Sequence, residues 1–358
     1  MNLVSKILKN ESPYGLDLIN KQTLFLNELK KLLNYHFNNS NEFKNFISNN
    51  NYSLEVDHIN DLPFLPARLF KLLDLKSIPN ENIFKVMTSS GTSGQAVSKI
   101  YLDKDSALVQ TKVLSQIVCS FLGKKRRNMI IIDSQSIIKD RAKFNARAAG
   151  ILGFSSFGKN HKYLLDDDLN LDIAKLKIAL DENGNEPLLI FGFTFLIWQE
   201  LFQSINNSKI NINFPQNTIL IHGGGWKRLQ ESKVNNIKFK SSLNKLGIRH
   251  VYDYYGMIEQ TGSIFVECEE GYLHCSDYSD IIVRDEITLH PLEFNSQGVL
   301  QVLSLLPRSY PGNSILTEDI GKIVGEDDCK CGRNGKYFIV SGRMKQSEVR
   351  GCSDTRSV

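Results

Sequence analysis

Residues 1–50 carry apolar side chains at roughly helical spacing, at Leu16, Ile19, Leu24, Leu26, Leu29 and Leu32-Leu33, which predicts a helical opening segment. In Leu62-Pro63-Phe64-Leu65-Pro66-Ala67-Arg68-Leu69-Phe70-Lys71 two prolines hold the entry extended, and a short helix follows Pro66. Phe84 to Met87 reads as a strand entering a small-residue loop, and Ala96 to Leu102 as the strand leaving it. Helical and strand patterns then alternate. Helices are expected near Asp105–Leu122, Lys139–Leu152, Ile173–Ala179, Phe193–Phe202 and Asn235–Leu246, and strands at Met129–Ile132, Leu188–Phe191, Thr218–His222 and His250–Tyr252. Alternation of this kind implies a mostly parallel sheet covered by helices, so the fold class is α/β. From Phe265 onward the segments are short and β-like, typified by Val299-Leu300-Gln301-Val302-Leu303, and they extend to about Val340. The expected division is a helical segment at 1–80, an α/β core at 81–264, a β-rich subdomain at 265–342 and a short tail at 343–358.

Composition narrows the function classes. The 358 residues are 41% hydrophobic and 23% charged, ordinary for a globular chain, and the net charge of +4 is small. Basic residues cluster only at Lys124-Lys125-Arg126-Arg127, which reads as a solvated helix end before a strand, with no nucleic-acid motif beside it. The first residues lack an apolar run of signal-peptide length, which predicts a cytoplasmic protein. Pro187 to Trp198, the most apolar stretch, is well short of the ~20 residues that cross a bilayer, so no membrane span is expected.

Chemistry is concentrated in separated motifs. Met87-Thr88-Ser89-Ser90-Gly91-Thr92-Ser93-Gly94-Gln95 offers backbone N–H and side-chain O–H groups that can converge on phosphate oxygens, although read alone it is also an ordinary turn. No Gly-Lys-Ser/Thr follows, which excludes the P-loop of GTPases. His222 runs into Gly223-Gly224-Gly225-Trp226, where glycines admit a flat ligand and the indole either offers it a face or simply packs in a tight turn. Tyr255-Gly256-Met257-Ile258-Glu259, Thr317-Glu318-Asp319 and Gly342-Arg343-x-Lys345 follow. The acceptable alternatives for Glu259 and Asp319, taken singly, are surface or salt-bridged carboxylates.

In this order and spacing the motifs resemble the adenylate-forming superfamily, whose members join a carboxylate to the α-phosphate of ATP and release pyrophosphate. The resemblance implies the large N-terminal domain of that superfamily, layered from sheets and helices, with a small β-rich subdomain. It implies that Thr88, Ser89, Ser90, Gly91, Thr92, Ser93 and Gly94 hold the β- and γ-phosphates, and that Gly223, Gly224, Gly225 and Trp226 border the adenine. Tyr255, Gly256 and Met257 would line the base, Glu259 would help hold Mg²⁺, Asp319 would bind the ribose hydroxyls, and Arg343 would contact ribose or phosphate. Together with Leu62–Lys71 and the closing Arg350-Gly351-Cys352-Ser353-Asp354-Thr355, the motifs look like the acyl-protein synthetases of bacterial bioluminescence, the LuxE family. That family activates a long-chain fatty acid with ATP and passes the acyl group to its own cysteine, for reduction by a partner fatty-acyl reductase. By position the acceptor is Cys352, with Arg350 and Arg356 favouring its thiolate. His222 is a candidate base, a contact to the substrate carboxylate, or a structural histidine. Competing readings are an acyl-CoA or acyl-carrier-protein ligase with the same first step, and a non-catalytic adenylate-binding partner of an acyl-CoA reductase.

Two departures stand out. Ile258 occupies a position that is often Thr, with Thr261 nearby, and only 15 residues follow Arg343, leaving no room for the swinging C-terminal domain and its lysine. Lys345 is the candidate substitute.

The chain has six cysteines and no secretory signal, which argues for free thiols or metal ligands rather than disulfides. Cys329-Lys330-Cys331-Gly332 is a tight Cys-x-Cys turn, and Cys268 with His274-Cys275 forms a second cluster. Related phenylacetate-CoA ligase-like enzymes look similar here, which points to a structural Zn²⁺ on Cys268, His274, Cys329 and Cys331, with Cys275 the alternative ligand.

Overall fold

The computed structural model describes residues 3–89, 96–139, 146–208, 210–226 and 234–344. The chain divides into two compact units. The described residues of 3–121 and 255–344 form the first, and those of 122–254 form the second.

The second unit is the α/β part. Its strands run in parallel in the order Gly158–Leu165, Arg127–Ser134, Leu188–Phe193, Ile219–Gly223 and His250–Tyr255. Ile130, Ile131, Leu189, Ile190, Phe191, Leu220 and Ile221 are almost fully buried, as near-continuous apolar runs must be when helices cover both sheet faces. Helices Ala146–Ser155, Ile173–Asn183 and Asn236–Asn244 supply the cover, the last two capped by Asp172 and Asn235 side chains that accept from backbone amides three residues on. Two findings depart from the periodicity. Gly158–Leu165 is a strand that its half-polar pattern does not announce, because it is the outermost strand in this unit's ladder and Lys159, Asn160 and His161 remain exposed. After Gly192-Phe193 the expected regular helix is instead an α turn at Thr194–Leu196 followed by π-helical turns at Ile197–Gln203. Such wide turns shift side-chain register and occur frequently at functional sites.

The first unit joins sequence-distant parts. Strands Ser279–Arg284, Gly298–Ser304, Ser314–Glu326, Lys336–Arg343, Leu273–His274 and Phe265–Glu267 follow one another in an antiparallel sheet. Leu65-Pro66 adds in parallel to Ile315-Leu316, so the proline-held segment is extended as its composition requires, and the short helix Leu69–Leu72 follows it. Helix Leu18–Asn39 is capped by Asp17, whose carboxylate accepts from the Asn20 amide, and helix Lys104–Leu122 contributes Val113, Ile117 and Val118 to the core. Among the described residues no helix is long and apolar enough to cross a membrane.

Buried His36 ties this unit together: its Nδ1 lies 2.7 Å from Ser77 Oγ, and its Nε2 lies 3.3 Å from the Pro307 carbonyl oxygen. Burial pushes its pKa down to about 4. Between pH 6.5 and 4 the unfolded chain therefore binds a proton that the native state refuses, and stability falls as pH is lowered through that window. The stability advantage over His36→Gln should shrink by about 3 kcal/mol from pH 7 to pH 4 in urea titrations. A difference that does not change with pH would show that the ring is not held neutral.

Candidate active site

In the first unit the strand pairing sets Asp319 directly opposite Arg343. Arg343 Nε lies 3.1 Å from Asp319 Oδ1, and its Nη2 lies 3.2 Å from Glu318 Oε2. The other Asp319 oxygen accepts from the Tyr255 hydroxyl at 2.7 Å. The Asp319 amide donates to Thr317 Oγ1, which in turn donates to the Leu300 carbonyl, so the carboxylate sits on a hydrogen-bonded backbone. Burial raises the Asp319 pKa, and the Tyr255 hydrogen bond and the Arg343 charge draw it back. Burial and the neighbouring Asp319 charge push Tyr255 well above the ordinary phenol range, so it remains a donor. Its ring packs against Phe265 and Phe338. The result is a carboxylate oriented on both sides, suited to accept from a diol at its remaining lone pairs.

Glu259 lies in a 3₁₀ turn, Ile258–Gln260, and is buried. Gln260 secures that turn by donating to the Val302 and Gly312 carbonyls, and the Thr261 hydroxyl donates to the Ile258 carbonyl at 2.8 Å. That hydroxyl is thereby engaged with the turn's own backbone. The Glu259 carboxylate oxygens are the donor type that a hard divalent cation takes. A Cβ on Gly256 would lie 2.9 Å from Ile264 Cγ2, so that side chain would have to shift.

The strands Lys85–Thr88 and Lys99–Leu102 pair antiparallel and bring the loop's ends together. The Ser89 amide donates to the Ser98 carbonyl and the Ser98 amide donates to Ser89 Oγ, closing the loop at its neck. Thr88 is exposed at the end of the first strand. Ser90, Gly91, Thr92, Ser93 and Gly94 lie outside the described residues, as do Lys345 and Cys352.

In the second unit His222 and Gly223 end a parallel strand, the position at which α/β sheets receive ligands. Thr194 Oγ1 donates to the Gly223 carbonyl at 3.1 Å and lies 2.9 Å from His222 Nδ1. A hydroxyl has one proton, so with that proton on the carbonyl its oxygen accepts from Nδ1–H. The Asp253 carboxylate also lies 3.6 Å from Nδ1, and both neighbours favour the Nδ1–H tautomer of His222. Its Nε2 lone pair is buried with no hydrogen-bond partner, and burial, aided by the Lys240 charge, pushes the pKa down to about 3. Gly224 and Gly225 follow with φ of +82° and +61°. Trp226 meets Trp198 and Phe239 edge-on, so the indole is packed within its unit.

Two features lack a motif. Thr194 is one; its signal is only its place after a glycine-containing strand end. The other is the Asp133–Arg147 ion pair at 2.9 Å, almost fully buried, with Asp133 at the carboxyl end of its parallel strand. Burial raises Asp133 to about 6 against the pull of Arg147.

Apart from these groups, Cys268, His274, Cys329 and Cys331 place their ligand atoms within 4.8 Å of one another in the first unit. Cys275, the alternative donor, is buried and is not part of that group.

Comparison with known proteins supplies a family. The chain is 22% identical over 335 residues to the long-chain-fatty-acid–luciferin-component ligase of Vibrio harveyi, covering 91% of this chain and 85% of that one. It is 23% identical to the ligase of the same name from Aliivibrio fischeri, covering 89% and 84%. An open conformation of 2-hydroxyisobutyryl-CoA ligase, solved with 2-HIB-AMP and CoA, superposes with a TM-score of 0.71 at 14% identity over 94% of this chain and 79% of that one. The fold is thus the mixed α/β architecture of adenylate-forming ligases. The family model described as "Acyl-protein synthetase, LuxE" matches residues 2–357, and the chain belongs to this family of ligase enzymes.

Proposed function

We propose that the protein activates a long-chain fatty acid with ATP and transfers the acyl group to Cys352, from which a fatty-acyl reductase partner draws it. A carboxylate oxygen attacks the α-phosphorus, and the bond to pyrophosphate breaks. The Cys352 thiolate then attacks the acyl carbonyl carbon, AMP leaves, and a thioester remains. The observation that supports this reading most is Asp319, fixed by Tyr255 and Arg343 at a motif position in a chain matched by one family model nearly end to end. Asp319 and Arg343 take the ribose side of ATP, and Thr88 to Gly94 the phosphates. Mg²⁺ held at Glu259 would neutralise phosphate charge. Lys345 takes the role of the alignment lysine.

Incubation with ATP, Mg²⁺ and labelled fatty acids should give acid-dependent pyrophosphate release and a hydroxylamine-sensitive label on the chain. Cys352→Ser should keep the release and lose the label. No acid-dependent release from any fatty or aryl acid would overturn the enzyme reading, and full labelling of Cys352→Ser would exclude that acceptor. Label appearing only on added CoA or carrier protein would favour the ligase alternative.

Thr194 is a positioning residue for His222. Thr194→Val should lower kcat for pyrophosphate release about 5–10-fold with little change in the KM for ATP, the loss of one buried hydrogen bond. Thr194→Ser should restore it, and ¹⁵N spectra should show the Nδ1–H tautomer only in the parent and the Ser variant. An unchanged tautomer in Thr194→Val would remove Thr194 from the mechanism.

A further inference from the structure

Two turns in the first unit share one construction. Cys268 begins a turn in which the Gly271 amide donates to the Cys268 carbonyl at 3.0 Å, and Cys329 begins another in which the Gly332 amide donates to the Cys329 carbonyl at 3.0 Å. Both glycines have left-handed backbone, with φ of +85° and +77°, which a residue with a Cβ resists. The two turns thus present Cys268 and Cys329 from the same backbone form.

The donor distances suit one metal ion. Cys268 Sγ and Cys329 Sγ are 3.9 Å apart, and Cys331 Sγ lies 3.3 Å from His274 Nε2. Metal–ligand bonds of about 2.0–2.3 Å give a tetrahedron with edges of about 3.4–3.8 Å. A disulfide would need a sulfur separation of about 2.05 Å, far below that observed. Four protein donors leave no open position, which is the arrangement of a structural site. Three thiolates and a neutral imidazole around a divalent ion leave one negative charge, and the cationic Arg333 follows Cys331 by two residues.

Arg333 also extends the cluster outward. It forms a two-pronged ion pair with Glu269, at 2.6 and 3.4 Å, joining the second turn to the first. Its guanidinium stacks over Phe121 at 4.2 Å, at the end of the Lys104–Leu122 helix, and lies 5.9 Å from the Tyr14 ring. Tyr14 in turn meets His274 edge-on at 6.2 Å.

We propose that Cys268, His274, Cys329 and Cys331 hold a structural zinc ion, and that Arg333 couples this site to the N-terminal segment at Tyr14 and to the helix ending at Phe121. The proposal stands apart from adenylation, since none of these residues belongs to the nucleotide machinery. Removing the metal frees both turns, and with them the anchor of the N-terminal segment.

Purified full-length chain, without ATP or fatty acid, should contain one zinc per chain by elemental analysis. Cobalt(II) added to the chelator-stripped protein should give the intense visible bands and the sulfur-to-metal charge-transfer absorption of a tetrahedral thiolate site. Chelation should lower the melting temperature and speed proteolysis near Tyr14, and zinc should reverse both. Cys331→Ser should lose the metal, whereas Cys275→Ser should keep it. Arg333→Ala should keep the zinc yet make the N-terminal segment protease-sensitive. Absence of zinc together with a featureless cobalt titration would overturn the metal site, and this reading uses the parent chain, so it does not depend on a variant folding. Metal retained by Cys331→Ser but lost from Cys275→Ser would overturn the ligand set. Unchanged proteolysis of metal-loaded Arg333→Ala would overturn the coupling.

Discussion

Asp319→Ala should lower acid-dependent pyrophosphate release about 10²–10³-fold, the usual effect of deleting one preorganised electrostatic contact in an active site. The side chain is held at both oxygens, one receiving the Tyr255 hydroxyl and the other facing Arg343 Nε. Truncation therefore removes the group assigned to the ribose and also strands a buried phenol and releases the guanidinium. The unsatisfied phenol adds a stability loss of about 1–3 kcal/mol, so two controls separate the effects. Asp319→Asn keeps the volume and one acceptor for Tyr255 but weakens the pull on Arg343; it should fold near normally and still lose most of the activity, chiefly through the KM for ATP. Tyr255→Phe should lose far less. If Asp319→Asn melts like the parent and retains full activity, the carboxylate has no part in nucleotide binding.

The largest stability effect is expected at Gly262. Its φ is +89°, and a Cβ would lie 2.6 Å from the Gln110 carbonyl oxygen and 2.9 Å from the Gln110 Cα. The atoms in the way are helix backbone, which cannot rotate aside as a side chain can. Left-handed strain of about 1–2 kcal/mol adds to the overlap, and Gly262→Ala should cost about 3–5 kcal/mol in urea titrations. The displaced segment adjoins the Glu259 turn, so activity should fall with stability. Gly123→Ala is the control, because its φ is +78° but nothing lies within 4 Å of the added atom. Equal losses for the two variants would mean that strain alone is at work and that the close approach to Gln110 is wrong.

Much of this fold is legible from local rules. The buried strands around Ile130, Ile190 and Leu220 announce themselves because both faces must be apolar, and Pro63 and Pro66 restrict their own segment whatever surrounds it. The Gly158–Leu165 strand is invisible to the same rule, since with only one sheet neighbour in its unit its first half stays wet. The irregular turns after Phe193 are also unannounced: nothing in Thr194-Phe195-Leu196-Ile197 distinguishes a π turn from an α turn.

For the site, residue types and their order point to adenylation, but pairing register decides what each group touches. Asp319 meets Arg343 because Ser314–Glu326 and Lys336–Arg343 align in that register, bulges included. His274 reaches the second cysteine turn because Leu273-His274 pairs with Tyr337-Phe338, a contact across a chain separation that local propensity cannot sense. Thr194 and Asp253 both face His222 Nδ1, a meeting that only three-dimensional proximity can bring about. The small-residue loop, the glycine run and the paired cysteines were thus determined by the sequence alone, because glycine's freedom and sulfur's chemistry are properties of the residue. Which carboxylate is buried, which nitrogen keeps its lone pair and which thiols face one another were decided only by the tertiary structure, because burial and proximity belong to pairs of residues that the chain itself holds far apart.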